Sequence, residues 1–431
     1  MVYQPNVMDL DFAQLAQTAG NKLIANVHQY VGSLTPSLKN AYTGLLAGKN
    51  LIFISAEALC KEVIDPELTP TLYRLANEGI RFDDYYQPKW GAGTTSGEFS
   101  NLTGLVPTSG GSCMVEPGQQ NMFLLLGKQL QKLGYASAAY HNNDYKFYNR
   151  HRTHTNLGYD IFMGYGNGME EGVTGQWPQS DLEMMEFTIP QHLDQTPFSL
   201  YYMSVSGHST YTIKENAMAR KNYDEVNAFA QKTGKTWSEP VKCYMAANLE
   251  LEKAMAYTLD TLEKAGILED TVIVISPDHF PYGLENTKSP QGGNCLEELY
   301  GPISKGQHDH NVLSIWSPCL EELDLVADSP TYSLDILPTV SNLFGLDFDS
   351  RLLVGRDVLS TAEPLVLWPN FCWKTDRGYY DASSGTFLPA PGAQPVDEAY
   401  LQRIKAAVQN KIRYSQQVID LNYFNYFPEN P

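Results

Sequence analysis

Residues 51–57 read Leu-Ile-Phe-Ile-Ser-Ala-Glu, an apolar run that ends at a carboxylate. Because polar residues do not alternate within it, the run is typical of a strand covered on both faces in a mostly parallel sheet. Comparable runs recur along the chain at 136–140, 198–205, 271–276 and 312–316. Helical patterns accompany them, notably at 246–265 and 332–343. This alternation predicts an α/β protein with a doubly wound, mostly parallel sheet flanked by helices.

The sequence on either side of these runs predicts two smaller parts. The first residues read as polar, amphipathic helix interrupted at Pro36, and the chain after Pro364 combines an apolar run, a turn around Gly385 and a polar helix near 398–417. We therefore predict a smaller C-terminal α+β subdomain. The predicted parts are a helical lead-in at 1–47, a catalytic domain at 48–362, and a C-terminal subdomain and tail at 363–431.

The composition limits the partners of this chain. Its 431 residues include 49 acidic and 30 basic side chains, a formal charge of −19. Such a charge opposes a broad electrostatic contact with nucleic acid or an anionic bilayer, so an anionic substrate would need a local cation or metal. Neither a secretory signal nor a membrane-spanning apolar run is evident. The six cysteines form no C-x-x-C pair, and their pairing stays open.

Chemically capable side chains follow four of the predicted strands. In open α/β sheets, ligands bind beyond the carboxyl ends of the strands. Glu57, His141, His208 and the pair Asp278-His279 each come within three residues of the end of such a run. One of these alone would more often be a surface or capping residue. Together they predict a site that binds a metal ion or transfers protons.

A second informative stretch is the loop Trp-Gly-Ala-Gly-Thr-Thr-Ser-Gly-Glu-Phe at 90–99. Thr95 or Ser96 could cap a helix that begins there, which would direct free N–H groups at an anion. A hydroxyl that also touches a divalent cation could attack phosphorus or sulfur. A plain helix cap in a glycine-rich loop is the alternative. Thr94 and Ser96 are rival nucleophiles to Thr95.

In their order along the chain, these motifs resemble the lipoteichoic acid synthase branch of the alkaline phosphatase/sulfatase superfamily. The resemblance covers about residues 50 to 370. It rests on Glu57 in ISAEAL, Thr95 in GTTSGEF, HNNDYKFYNR at 141–150 followed by LGYD at 157–160, Gly207-His208 in SVSGHS, Asp278-His279, and the closing stretch at 333–360. It implies an alkaline phosphatase/sulfatase-like fold.

The resemblance also implies a set of site residues. In that family a threonine is both the nucleophile and a ligand of one divalent metal ion, for which Mn²⁺ is expected and Mg²⁺ or Zn²⁺ are alternatives. Carried onto this sequence, the metal ligands are Glu57, Thr95, Asp278 and His279. The implied catalytic residues are Thr95 and His208, and either His208 or His141 could serve as proton donor or acceptor. The implied substrate-binding residues are His141, Tyr148, Arg150 and His208.

Two residues depart from the family pattern. Tyr148 stands where a tryptophan is expected in the substrate pocket, and Thr94 stands where a lysine is expected before the nucleophile. The head group that the pocket prefers is therefore left open.

The function implied by the resemblance is metal-dependent phosphotransfer. Glycerol phosphate would move from phosphatidylglycerol to a growing lipoteichoic acid-type polymer through a phosphothreonine intermediate. The implied partners are the phosphatidylglycerol-type head group and a polyglycerol phosphate acceptor, with no nucleic acid. Family members carry membrane-spanning helices before this domain, and none precedes it here. The chain is thus expected to be a soluble ectodomain of a membrane-anchored protein, or a released one, at the extracellular face of the membrane.

Three alternatives stay open at this point. Phosphoethanolamine transfer would use the same nucleophile with another head group. A phosphodiesterase or sulfatase-type hydrolase could share the fold, but no cysteine begins a C-x-P-x-R motif, and a two-zinc phosphatase would need further ligands such as His308 and His310, which read as a polar loop. A non-catalytic module could use the acidic surface and 27 tyrosines to bind glycans or partners.

Overall fold

The structure is a computed structural model that describes residues 2–108, 110, 113–304 and 306–427. The strands in this part are β1 Asn50–Ala56, β2 Arg81–Phe82, β3 Tyr85–Tyr86, β4 Ala136–Asp144, β5 Ile161–Tyr165, β6 Phe198–Met203, β7 Thr271–Pro277, β8 His310–Asn311, β9 Ser314–Trp316, β10 Val326–Ala327, β11 Thr331–Tyr332, β12 Val366–Leu367, β13 Trp373–Thr375, β14 Gly378–Asp381 and β15 Thr386–Pro389.

The α-helices are α1 Phe12–Thr18, α2 Lys22–Gly32, α3 Pro70–Asn77, α4 Thr94–Thr103, α5 Leu126–Lys132, α6 Arg150–Thr153, α7 Asp181–Thr188, α8 Ala217–Thr233, α9 Glu239–Lys264, α10 Tyr282–Glu285, α11 Cys295–Tyr300, α12 Pro318–Glu321, α13 Ile336–Leu343 and α14 Glu398–Asp420.

A six-stranded sheet in the order β5-β4-β6-β1-β7-β9 forms the centre of the protein. Its strands are parallel except β9, which runs antiparallel to β7 at one edge. Every residue of β1 is buried, and its side chains alternate between two hydrophobic clusters, with Phe53 in one and Ile54 in the other. Helices thus cover both faces, which confirms the predicted mostly parallel, doubly wound sheet.

The five predicted apolar runs correspond to β1, β4, β6, β7 and β9. Sequence reasoning missed β5, whose residues at this edge of the sheet alternate between exposed or half-exposed and buried. The run at 312–316 contributes only the short antiparallel β9, and the helix predicted at 332–343 begins at Ile336, after β11 and one turn of 3₁₀-helix. The helix predicted at 246–265 begins earlier, at Glu239, because Pro240 suits its first turn.

The two ends of the chain pack on the same core. Within the predicted lead-in, α1 and α2 are helical, whereas residues 33–47 are not. The C-terminal part has a four-stranded antiparallel sheet, β12-β13-β14-β15, followed by α14, as predicted. Ile24 of α2 and Val408 of α14 join Phe53 in one hydrophobic cluster. The domain bounds after 47 and 362 therefore stay predictions, since the core is continuous across both.

Among the helices of the described ranges, none combines the length and the apolar character that crossing a bilayer requires.

Candidate metal and phosphate site

Strand register brings the predicted acidic residues together. Strands β1 and β7 are adjacent, and Ala56 is paired with Pro277 at their carboxyl ends. The residues that follow, Glu57 and Asp278, are therefore neighbours. Nε2 of His279 lies 3.4 Å from Oε1 of Glu57 and 3.3 Å from Oδ2 of Asp278. All three side chains are buried, and their ligand atoms lie within 4.8 Å of one another.

The unpaired atoms of this cluster fit a divalent cation. Oδ1 of Asp278 accepts hydrogen bonds from the backbone N–H groups of Ala58 and His279, each at 2.8 Å, whereas its Oδ2 is buried with no hydrogen-bond partner. Nδ1 of His279 donates to the carbonyl of Phe280 at 2.9 Å, so its Nε2, which lies beside the two carboxylates, is the nitrogen left to bind an ion. Such outer hydrogen bonds orient ligands in metal sites. A buried acid pair with imidazole is a donor set suited to Mn²⁺, Mg²⁺ or Zn²⁺.

The hydroxyl at this cluster belongs to Thr94, which corrects the sequence prediction. Oγ1 of Thr94 donates to Oε2 of Glu57 at 3.1 Å and lies 3.4 Å from Nε2 of His279. Thr94 is the first residue of α4, next to the end of β1. The candidate nucleophile and fourth ligand is therefore Thr94, and the residue before it is Gly93, where the family pattern has lysine.

Thr95 and Ser96, in contrast, point away from the cluster. Oγ1 of Thr95 is completely buried and lies 3.7 Å from Sγ of Cys113. Oγ of Ser96 accepts from the backbone N–H of Ala92 at 3.1 Å. The structure thus places the hydroxyl of Thr95, the predicted nucleophile and metal ligand, outside the cluster. The physical reason is helical phase, because consecutive residues turn by about 100° around a helix axis.

One glycine sets that phase. At Gly97, a Cβ atom would lie 2.0 Å from the carbonyl oxygen of Asp278, so only glycine allows α4 to pack on the end of β7. Residues spaced three or four apart share one face of a helix. Thr94, three residues before Gly97, therefore faces the strand ends. Asn101, four residues after it, donates to Oγ of Ser55 and to the carbonyl of Pro277 on the same face.

A cavity of about 390 Å³ opens beside the cluster. Glu57 and Thr94 form part of its wall. The four side chains predicted to bind substrate all line it, namely His141, Tyr148, Arg150 and His208. Sequence reasoning missed three aromatic residues of the same wall, namely Phe147, Trp177 and Tyr282. Phe147 lies inside the motif at 141–150, but no sequence signal marked Trp177.

Arg150 presents free donors within this wall. Its Nε donates to both carboxylate oxygens of Glu98, at 3.2 and 3.0 Å, whereas its two terminal nitrogens are buried without a partner. Its guanidinium carbon lies 5.3 Å from the ring centroid of Tyr148. Two terminal NH₂ groups on a planar cation match the oxygens of a phosphate.

The two cavity histidines are each fixed through Nδ1. In His141 it donates to the carbonyl of Met203 at 2.8 Å, and in His208 to the carbonyl of Ser209 at 2.5 Å. Burial, and then the charge of Arg150, lower the pKa of His141 to about 3, so this ring is neutral near pH 7. With Nδ1 donating, its Nε2 can only accept, which suits a substrate hydroxyl and not the proton donation that sequence reasoning allowed.

The histidines considered for a second metal lie elsewhere. Nδ1 of His310 is 2.7 Å from Nζ of Lys61, and its Nε2 is 3.8 Å from Asp84, while the ring of His308 packs 5.8 Å from that of Phe280. Within residues 2–108, 110, 113–304 and 306–427, Glu57, Asp278 and His279 form the one group with metal-ligand spacing. The geometry thus favours a single ion.

The protonation of Glu57 leads to a testable pH dependence. Burial first, and then the charge of Asp278, raise the pKa of Glu57 from 4.5 to about 8 in the metal-free chain. The folded state then keeps a proton that the unfolded state releases near pH 4.5, so stability should fall as the pH rises from about 4.5 to 8. The melting temperature of the EDTA-treated chain should fall between about pH 4.5 and pH 8, and it should fall less steeply in Glu57→Gln.

Added metal gives a second measurement of the same proton. Because the ion must displace the proton of Glu57, added Mn²⁺ should raise the melting temperature more at pH 8 than at pH 5.5. If the melting temperature fell equally with pH in the unmodified chain and in Glu57→Gln, the raised pKa of Glu57 would be contradicted.

Comparisons with known proteins show the family of this chain. The model of the sulfatase family matches residues 49–346. Lipoteichoic acid synthase 2 of Bacillus subtilis is 23% identical over 419 residues, which cover 94% of this chain but 61% of that protein. The chain thus spans about three fifths of the length of this curated relative, and about half that of lipoteichoic acid synthase from Staphylococcus saprophyticus, 49% of which is matched at 26% identity.

The solved structure of the lipoteichoic acid synthase LtaP from Listeria monocytogenes superposes with a TM-score of 0.71 at 21% identity, covering 92% of this chain and 98% of that one. This likeness confirms the predicted alkaline phosphatase/sulfatase-like fold with its C-terminal antiparallel sheet. Because the family model covers more than half of the sequence, the family is established independently of any one motif. The chain belongs to the sulfatase family.

Proposed function

We propose that this chain is the catalytic part of a metal-dependent transferase that moves glycerol phosphate from phosphatidylglycerol to a lipoteichoic acid-type polymer. The observation that carries the proposal is the position of Thr94. Its hydroxyl lies at the Glu57-Asp278-His279 cluster and faces a cavity in which Arg150 has unpaired donors. The lipoteichoic acid synthases among its relatives support this class of reaction.

The four residues Glu57, Thr94, Asp278 and His279 would hold the divalent ion, for which Mn²⁺ is the expected choice. When bound, such an ion favours the deprotonated hydroxyl and neutralises charge on phosphate oxygens. The chain itself holds the attacking oxygen in place, since the hydroxyl of Thr94 donates to Glu57. Arg150 would bind the phosphate oxygens, and Nε2 of His141 would accept a hydrogen bond from a glycerol hydroxyl.

The reaction would then proceed in two displacements. In the first, Oγ1 of Thr94 forms a bond to phosphorus while the bond to the diacylglycerol oxygen breaks, which leaves glycerol phosphate on the threonine. In the second, a terminal hydroxyl of the polymer attacks this phosphothreonine and restores the free side chain. His208, whose Nδ1 donates to the carbonyl of Ser209, is the candidate to give a proton from Nε2 of its protonated ring to diacylglycerol and then to take one from the polymer at the same nitrogen.

The partners in this proposal are the phosphatidylglycerol head group and the polyglycerol phosphate acceptor. Both would be met at the extracellular face of a membrane. The acidic charge of −19 argues that recognition depends on the local cavity rather than on the whole surface.

A head-group assay tests the proposal. With Mn²⁺ present, the purified chain should release diacylglycerol from vesicles of labelled phosphatidylglycerol and transfer the label to a glycerol phosphate acceptor. Vesicles of phosphatidylethanolamine are the control for head-group preference. That preference is open because Tyr148 stands where the resemblance implies a tryptophan in the substrate pocket. Faster release from phosphatidylethanolamine would favour phosphoethanolamine transfer, and release of free glycerol phosphate without any transfer would favour hydrolysis. Either result would contradict the proposal.

A further inference from the structure

Glu98 is a buried carboxylate that the proposed reaction does not yet use. It lies in α4, four residues after Thr94, and is completely inaccessible to solvent. A carboxylate is costly to bury unless charged partners and hydrogen bonds compensate for lost hydration. Its position in the middle of a buried helix therefore calls for a specific set of partners.

Three side chains supply them. The Nε of Arg150 donates to both oxygens of Glu98, His154 contacts Oε1 through Nε2 at 3.0 Å, and the hydroxyl of Tyr201 donates to Oε1 at 3.1 Å. Burial alone would raise the pKa of Glu98, but the charges of Arg150 and His154 outweigh it and lower the pKa to about 2. The carboxylate is thus ionised and tightly held on one side of the guanidinium.

The way in which Arg150 is bound decides what remains available. Contact through Nε alone leaves both terminal nitrogens, with four N–H bonds, unused by the protein. The side chain is 1% exposed, yet it lines the same cavity as Thr94. Four buried, unpaired donors of one cation are a strong indication of an anionic ligand.

We infer that Glu98 is a positioning residue that fixes Arg150, so that its free guanidinium edge binds phosphate beside Thr94. The inference rests on the proposed function in that it takes a phosphate ester as the ligand. Because Thr94 and Glu98 are one turn apart in α4, a single rigid element carries both the attacking oxygen and the anchor of the phosphate-binding cation. Glu98 acts through Arg150 and touches no substrate.

The test measures binding of sn-glycerol-1-phosphate and of inorganic phosphate by calorimetry, with Mn²⁺ present. Glu98→Gln should weaken binding of either probe by roughly 10- to 100-fold, the usual effect of losing a residue that orients a ligand group. Thr103→Val is the matched control, because it removes two buried hydrogen bonds at the end of the same helix, one to the carbonyl of Phe99 and one from the backbone N–H of Leu105, and leaves Arg150 untouched. It should bind both probes as the unmodified chain does.

A double-mutant cycle separates positioning from general support of the fold. In an Arg150→Lys background, which has no Nε, Glu98→Gln should change probe affinity by less than about threefold. An equal loss in both backgrounds, or unweakened binding in Glu98→Gln, would overturn the inference. If Glu98→Gln does not fold, Glu98→Asp keeps the charge but withdraws it from Arg150, and it should show the same coupling.

These results are independent of lipid transfer. If the unmodified chain binds the probes and shows the coupling but releases no diacylglycerol from phosphatidylglycerol, the proposed function is wrong and the inference stands. If it transfers glycerol phosphate but shows no coupling between Glu98 and Arg150, the inference is wrong and the proposed function stands.

Discussion

Thr94→Ala should abolish release of diacylglycerol from phosphatidylglycerol, lowering kcat by on the order of 10⁴-fold or more, because no other hydroxyl can replace a lost nucleophile at this position. Oγ1 of Thr94 lies 3.1 Å from Glu57, whereas the hydroxyl of Thr95 faces Cys113. Mass spectrometry of the unmodified chain, quenched during turnover, should detect glycerol phosphate on Thr94, and the variant should carry none.

The neighbouring threonine provides the control. Thr95→Ala removes the same atoms one residue further along α4, in a buried position away from the cluster. Its transfer rate should stay within about tenfold of the unmodified chain, since it loses only a weak contact with sulfur. Loss of activity in Thr95→Ala with retention in Thr94→Ala would reverse the assignment of the nucleophile.

Asp278→Asn should remove the metal site. Changes to residues that only orient ligands weaken metal binding by about 10- to 100-fold, so loss of a ligand charge should weaken Mn²⁺ binding by at least about 100-fold. Isothermal titration of the EDTA-treated chain measures this directly. The amide can still accept the hydrogen bonds from Ala58 and His279, and above about pH 8, where Glu57 is ionised, the repulsion between the two carboxylates is relieved. Above that pH the metal-free variant should therefore melt at or above the temperature of the unmodified metal-free chain.

Glu285→Gln is the matched control for this change. Glu285 is an exposed carboxylate at the end of α10, seven residues after Asp278, and it has no place in the cluster. It should bind Mn²⁺ with unchanged affinity. Unchanged affinity in Asp278→Asn as well would contradict the cluster as the metal site.

The central sheet was predictable from sequence because its strands are buried on both faces. In such strands the apolar run is continuous, as in residues 51–55, and the side chain that follows each run must reach the same edge of the sheet. This is why Glu57, Asp278 and His279 were identified by their positions after strands, whereas His141, predicted to follow a strand, lies within β4, which continues to Asp144. The edge strand β5 was missed because its half-exposed residues lack that signal.

The nucleophile could not be assigned from sequence in the same way. Three consecutive hydroxyl residues begin α4, and composition does not reveal which one faces the strand ends. The phase of a helix depends on tertiary packing, and here it is set by Gly97 against Asp278. One signal was available, because Thr94 lies three residues before the one glycine within this helix, and a glycine in a helix often marks a close approach.

The same close approach bears on how substrate choice could diverge within this fold. Since backbone meets backbone where Gly97 lies against Asp278, the separation between the attacking oxygen and the acidic cluster does not depend on the size of nearby side chains. Side chains that line the cavity, such as those of Tyr148 and Trp177, can then be replaced by others without displacing the reactive atoms. Descendants of one ancestor could acquire new substrates through a few replacements in those walls, while inheriting the chemistry unchanged.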